Sequence, residues 1–443
     1  MIQRAARASV PAMKRSVFAL LFAAACSGDP AGPSATPPAP PTSNDPAFVI
    51  AGLRNWYLIQ DAVTAGQAAI DATIAAPEGV ATVDVWLGDQ QGVRLPVVDG
   101  KFRWQQDLGA LAAGDYEVLF AADGADTAFA KRTVHRSAPL YFLMATDWDF
   151  SEPGETSLLI MDAMRRKHPS LMFTHFVGPY TYTDPQLDPA RRVDITKWLV
   201  ASRDMHGDEI GLHIHPYCNF VTHAQVTCIT DQSTVYAQDL SGYTVKVAAY
   251  DEPTFGKLLD DADGLFMANG LGKPVTFRAG GWTADLGTLK ALASHGYVAD
   301  TSALNWARLE EWQNQGTGEL YRWNMANWTP MGDTSQPYYP SDTSVLMPGL
   351  LPLSILEVPD NGIMVDYVSV DEMKQISAAN WNGNALPAAK TLMLGFHPSV
   401  QMPLEASDRV YGILDYAEAH LAEKDRGPMV YAVLKDMPKV FKP

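Results

Sequence analysis

The stretch DEIGLHIHPY, residues 208–217, sets the reading of the whole chain. In a predicted strand His213 and His215 are two residues apart, so both imidazoles leave the same face and can converge on one ion. Read alone, such a pair fits strand histidines bonded to backbone equally well. ATDWDFS, residues 145–151, carries Asp147 and Asp149 at the same spacing and so also presents two side chains on one face. Two imidazoles, one carboxylate and an open water position are a familiar site for catalytic zinc or a similar divalent ion. The ion acidifies its water and polarises the carbonyl to be attacked. One carboxylate would ligate, leaving the other as a base. The coincidence of both pairs at predicted strand ends decides for a metal site.

Outward from this stretch, from Pro139 on, short apolar runs alternate with helix-like stretches, as in βα units. Seven runs end in polar residues: 141–149, 170–177, 208–215, 274–281, 296–302, 354–360 and 391–398. Helices are predicted between several of them, at 157–167, 195–204, 284–295 and 406–423. In a βα barrel the active site is assembled at the C-terminal ends of the strands, which is where the titratable residues fall. Arg278 in TFRAGGW precedes two glycines that let backbone approach a ligand, and its guanidinium can orient a base carboxylate. His397 in LGFHPS suits a general acid, because imidazole titrates near neutral pH.

With these residues placed, residues 140–400 resemble the NodB-homology polysaccharide deacetylases, carbohydrate esterase family 4 and its relatives. ATDWD, SLMFTHFVG, GLHIHP, TFRAGGW, ADTS and LGFHP follow the order of the family's motifs. The resemblance implies a distorted (β/α)7 barrel and removal of N-acetyl, sometimes O-acetyl, groups from sugar polymers with zinc or another divalent ion bound. It implies that Asp147 is the base, that Asp149, His213 and His215 bind the metal, that Arg278 orients Asp147 and that His397 is the acid. Asp300 is expected to support the catalytic histidine. Two departures stand out: Trp148 separates aspartates that are usually adjacent, and Tyr217 occupies the usual place of the second histidine, so that His215 must substitute. The first departure leaves the roles of Asp147 and Asp149 interchangeable.

The remaining sequence frames this site. A net charge of −17 argues against the basic surface that a phosphate backbone requires, so no nucleic-acid partner is expected. Lys14 and Arg15 precede an apolar run at 17–25 too short to span a bilayer, which reads as an export signal at 1–26. Its end, Ala23-Ala24-Ala25-Cys26, resembles a bacterial lipobox, a plain small-residue cleavage site being the alternative. A lipid on Cys26 would place the protein at the cell envelope, in the outer membrane or periplasm. Residues 27–46, rich in Pro and Ser, read as an extended spacer. Residues 47–136 alternate apolar and polar in short runs, with an Asp99-Gly100 hairpin turn, and resemble a small all-β immunoglobulin-like sandwich of antiparallel strands. The barrel is then expected over 137–443.

Cys218 and Cys228, an even pair in an oxidising compartment, read as a disulfide, with two buried free thiols as the alternative. His175 is expected to be structural, and His168, His206, His223 and His295 solvated or at helix ends. An insertion at 304–353 carries Trp306, Trp312, Trp323, Trp328, Tyr338 and Tyr339, of which one or two are expected to line a cleft. Glu357 is expected to reach the cleft or cap the insertion. Two other functions fit the residues: a glycan-binding protein that kept the barrel without turnover, and a metal hydrolase of a non-sugar amide.

Overall fold

Alternation of buried and exposed side chains dictates the N-terminal strands. In β2 (Ala69–Ala75), for instance, Ile70, Ala72 and Ile74 are buried and their neighbours are exposed. The computed structural model describes residues 50–90, 92–315, 317–398 and 404–443. The signal, Cys26 and the spacer lie outside the described residues. The strand β1 (Trp56–Leu58) precedes β2, and β3 (Thr82–Leu87), β4 (Val93–Pro96), β5 (Lys101–Asp107), β6 (Gly114–Ala122) and β7 (Ala128–Ser137) follow. They form a five-stranded sheet of order β1-β7-β6-β3-β4 and an antiparallel β2-β5 pair. Ile70, Ile74, Phe102 and Trp104 of the pair share a core with Val83, Val85 and Phe120 of the larger sheet. The turn at Asp99-Gly100 has φ of +50° and +71°, as a two-residue hairpin requires. One pairing departs from the antiparallel expectation: β1 runs parallel to β7. The segment is also fastened to the rest of the chain, since the carboxylate of Asp425 accepts from the backbone N–H groups of Asn55 and Trp56 at 2.8–2.9 Å.

Each of the seven apolar runs contains a strand: β8 (Leu140–Asp147), β9 (Phe173–Val177), β10 (Glu209–Ile214), β11 (Thr276–Ala279), β12 (Ala299–Asp300), β13 (Leu356–Glu357) and β14 (Lys390–Phe396). They make one parallel curled sheet of order β13-β12-β11-β10-β9-β8-β14. An eighth strand that the sequence did not suggest, β15 (Met429–Ala432), pairs with Leu140–Leu143 of β8, while β9 takes the other half of that edge at Met144–Asp147. Residues 361–365 continue from β13 and reach β14 through single bonds, Gly362 N–H to the Met393 carbonyl and Val365 N–H to the Gly395 carbonyl, both 2.8 Å.

Helices cover the outer face at Glu155–Lys167, Pro189–His206, Leu286–Ser294 and Leu404–Glu418, close to expectation. Those at Glu252–Ala268, Gly318–Asn327 and Val370–Asn380 were not anticipated. Strand side chains divide between two cores. Leu140, Phe142 and Met144 pack outward with the helices, whereas Tyr141, Leu143 and Ala145 face an inner core with Phe176, Ala299, Leu356 and Met393. Asp147 continues the inward-facing series, because successive strand residues alternate faces. Parallel register does the rest: Asp147 lies level with Phe176, His213 pairs with Arg278, and Asp300 pairs with both Phe277 and Glu357.

Candidate metal centre

At the C-terminal rim of the sheet, Asp149, His213 and His215 bring one ligand atom each to within 4.8 Å of one another. Asp149 Oδ1 is 3.2 Å from His213 Nε2 and 3.4 Å from His215 Nε2. Both imidazoles are buried, and each is turned by its other nitrogen. His213 Nδ1–H donates to the Arg278 carbonyl at 2.9 Å and His215 Nδ1–H to the Tyr243 carbonyl at 2.7 Å. With Nδ1 carrying the proton, Nε2 keeps its lone pair, the state a metal needs. His215 Nε2 is buried with no hydrogen-bond partner, a cost that an ion would remove. On this chemistry the triad can hold a divalent ion.

Burial opposes ionisation of Asp149, but the imidazoles of His397, His215 and His213 around it outweigh burial and hold the carboxyl well below its usual range. Its second oxygen, Oδ2, accepts from the Tyr243 hydroxyl at 2.8 Å. Trp148, the residue that splits the aspartates, points into the outer core, with Nε1 on Thr146 Oγ1 at 3.0 Å, so Asp147 and Asp149 both turn to the rim. Tyr217 supplies no ligand to the triad; its hydroxyl donates to the Asp149 carbonyl at 3.2 Å.

Arg278 is fully buried, and its Nη1 stands 3.2 Å from both oxygens of Asp147. Its Nη2 faces Asp360 Oδ2 at 3.5 Å, and the same oxygen accepts from Trp282 Nε1 at 2.9 Å. His397 follows β14 and meets the site through Nε2, 3.7 Å from Asp149 Oδ1. Burial disfavours its charged form, yet the carboxylates of Asp149 and Asp366 raise its pKa to about 10. Asp366, absent from the sequence-based site, holds this ring: its Oδ2 accepts from His397 Nδ1 at 2.9 Å and from the His397 backbone at 3.1 Å.

Asp300 is therefore not the support of His397. It accepts from Ser302 Oγ at 2.9 Å and from Ser302 N–H, and burial raises its carboxyl to about 6. Glu357, buried beside it and bonded to the Ala303 N–H at 2.9 Å, is pushed up by burial and then by Asp300. Glu357 thus braces the inner core and does not line the cavity.

A cavity of about 210 Å³ opens over the triad, lined by Asp147, Asp149, His213, His215 and His397. Its aromatic wall is Tyr236, Tyr243, Trp282 and Tyr367, none of which belongs to the tryptophan-rich insertion. Among the described residues that insertion contributes Thr317 and Leu320. Trp328 acts from behind: its Nε1 donates to the Trp282 carbonyl at 3.0 Å. Tyr338 and Tyr339 line a separate cavity of about 520 Å³. Of the other histidines, His175 is structural, with Nε2 on Asp208 Oδ2 at 3.0 Å and Nδ1 against Thr146 Oγ1 at 2.8 Å. His206 and His223 are exposed at helix ends, and His295 and His168 each cap a helix, His168 with its ring buried against Glu418. Cys218 and Cys228 form a disulfide in the loop after β10.

No family model matches the chain, and no curated protein does. Among solved structures it is similar to a Mycobacterium smegmatis protein described as a polysaccharide deacetylase, at 15% identity over 68% of this chain and 88% of that one, with a TM-score of 0.36. A family 4 carbohydrate esterase from Streptomyces lividans, in complex with acetate, gives 11% identity, 68% and 97% coverage and a TM-score of 0.34. The Xyl-CE4 domain of a multidomain xylanase from the hindgut metagenome of Trinervitermes trinervoides gives 9% identity, 68% and 90% coverage and a TM-score of 0.35.

Proposed function

We propose that this chain is a metal-dependent hydrolase, built on a distorted (β/α)7 barrel, that removes acetyl groups from an N-acetylated polysaccharide of the envelope or extracellular space. The observation that carries the reading is the convergence on one cavity of the Asp149, His213 and His215 triad, of Asp147 gripped by Arg278, and of His397 gripped by Asp366. Two imidazoles and a carboxylate favour zinc, which when bound supplies Lewis acidity to the scissile carbonyl and acidifies a water. Asp147, kept in orientation by Arg278, accepts the proton of the attacking water. His397 delivers a proton from Nε2 to the departing amine while Asp366 fixes Nδ1. The amide C–N bond breaks, and acetate and a free amine leave. The aromatic wall offers apolar faces suited to a sugar ring.

Export, a lipid tether on Cys26, a spacer at 27–46, an immunoglobulin-like domain at 47–136 and a catalytic domain at 137–443 complete the proposal. In this arrangement the spacer holds the folded part off a membrane surface. The test is acetate release from a panel of N- and O-acetylated glycans by the zinc-loaded protein, with His213→Ala as control. Release from at least one glycan, lost in the variant, is expected. Zinc binding without release from any of them would instead favour the glycan-binding reading.

A further inference from the structure

We propose that Tyr243 is a positioning residue of the metal centre, holding two of its three ligands at once; this rests on the metal-binding reading above. Asp149 Oδ1 faces the two Nε2 atoms, so it is the oxygen directed at the ion, and the Tyr243 hydroxyl donates to the other oxygen, Oδ2, at 2.8 Å. That bond fixes the plane of the carboxylate and prevents it from swinging about its Cβ–Cγ bond. The Tyr243 carbonyl accepts a hydrogen bond from His215 Nδ1–H at 2.7 Å, which sets the tautomer of the second ligand. The phenol ring stacks on the His215 ring with centroids 4.4 Å apart and planes 27° apart, which limits rotation of the imidazole.

Tyr243 reaches this place because its loop crosses the turn after β10 at very close range. The Cys218 N–H donates to the Ser241 carbonyl at 2.9 Å. Gly242, at φ +99°, passes the Pro216 carbonyl so tightly that a Cβ there would lie 2.1 Å from its oxygen. Only glycine allows that crossing, and it delivers the next residue onto the ligands. The loop therefore belongs to the metal centre although it contributes no ligand.

The test compares zinc affinity, by isothermal titration with a competing chelator, for the full chain and its Tyr243→Phe variant. Phenylalanine retains the ring stack and the carbonyl and removes only the hydroxyl. A ten- to hundred-fold weaker Kd is expected, with the melting temperature of the zinc-free protein unchanged. Wild-type affinity in Tyr243→Phe, beside complete loss in His213→Ala, overturns the proposal and leaves the metal centre standing. A wild-type chain that binds no zinc overturns the metal reading and this inference with it.

Discussion

Replacing Gly280 by alanine tests how tightly the second ligand is held. A Cβ at position 280 would lie 2.7 Å from Cγ and Nδ1 of His215 and 2.8 Å from Cδ2. Ordinary van der Waals contact begins near 3.4 Å, so the imidazole must retreat by about 0.7 Å. It has little room to do so, with Tyr243 stacked at 4.4 Å on the ring and Nδ1 bonded to a carbonyl at 2.7 Å. Metal–ligand distances tolerate about 0.2 Å. The backbone itself does not object to alanine here, since Gly280 is outside the left-handed region, so the effect isolates the ring. We expect a loss of zinc affinity of at least about tenfold and about 1–3 kcal/mol of destabilisation from overpacking. Titration calorimetry reads the first and thermal melting of the zinc-free protein the second. Gly264→Ala is the control, for its added Cβ meets nothing within 4 Å; in the interior of a helix it should stabilise by about 0.5–1 kcal/mol. Zinc bound by Gly280→Ala with wild-type affinity would refute the placement of His215 as a ligand beneath Gly280.

Two further outcomes concern carboxylates that hold a histidine or an arginine in place. Asp366→Asn keeps a carbonyl near His397 Nδ1 but removes the charge, so turnover on an active glycan should fall by about 10²-fold while zinc affinity stays unchanged; parallel loss of both would place Asp366 in the metal centre instead. Asp208→Asn leaves the buried Arg165 only the part-exposed carboxylate of Asp162, at 3.2 Å, as counter-charge and should cost about 3 kcal/mol at neutral pH. Burial opposes the Asp208 carboxylate, but the hydrogen bond and charge of His175, the charge of Arg165 and the Phe173 N–H together depress its folded pKa. Its stabilisation is present above the unfolded value near ~4 and disappears as pH falls through the folded one, so wild type and variant should converge in acid. A gap in urea-unfolding free energy that stays constant below pH ~4 would contradict that assignment.

The candidate ligand triad was legible because its spacing acts within single elements. His213 and His215 share a face by strand period, and Trp148 lets Asp147 and Asp149 do the same by turning into the outer core. Arg278 was legible as a strand-end cation, and register then sets it beside His213. The groups that hold these residues carry no such signal. Asp366 reaches His397 from the segment that leaves β13, and Tyr243 reaches His215 from a loop 28 residues further along the chain. Such partners are fixed by where loops cross, at points like Gly242, and no periodicity records a crossing.

The same distinction explains Asp300 and the insertion. Asp300 sits at a strand end, as a site residue should, but its strand is only two residues long and its register pairs it with Glu357. Two carboxyls placed side by side in an inner core are both pushed towards their neutral forms by burial, and the proton they retain suits bracing better than catalysis. The insertion's tryptophans signal an aromatic surface by composition, yet an indole N–H buried in a barrel must find an acceptor. Trp328 finds it in the Trp282 carbonyl, and so shapes the cavity through the residue that lines it. The expectation that one or two rings of the insertion line the cleft therefore fails: Trp328 meets its hydrogen-bonding demand behind the cavity, and the rings that line it are Tyr236, Tyr243, Trp282 and Tyr367.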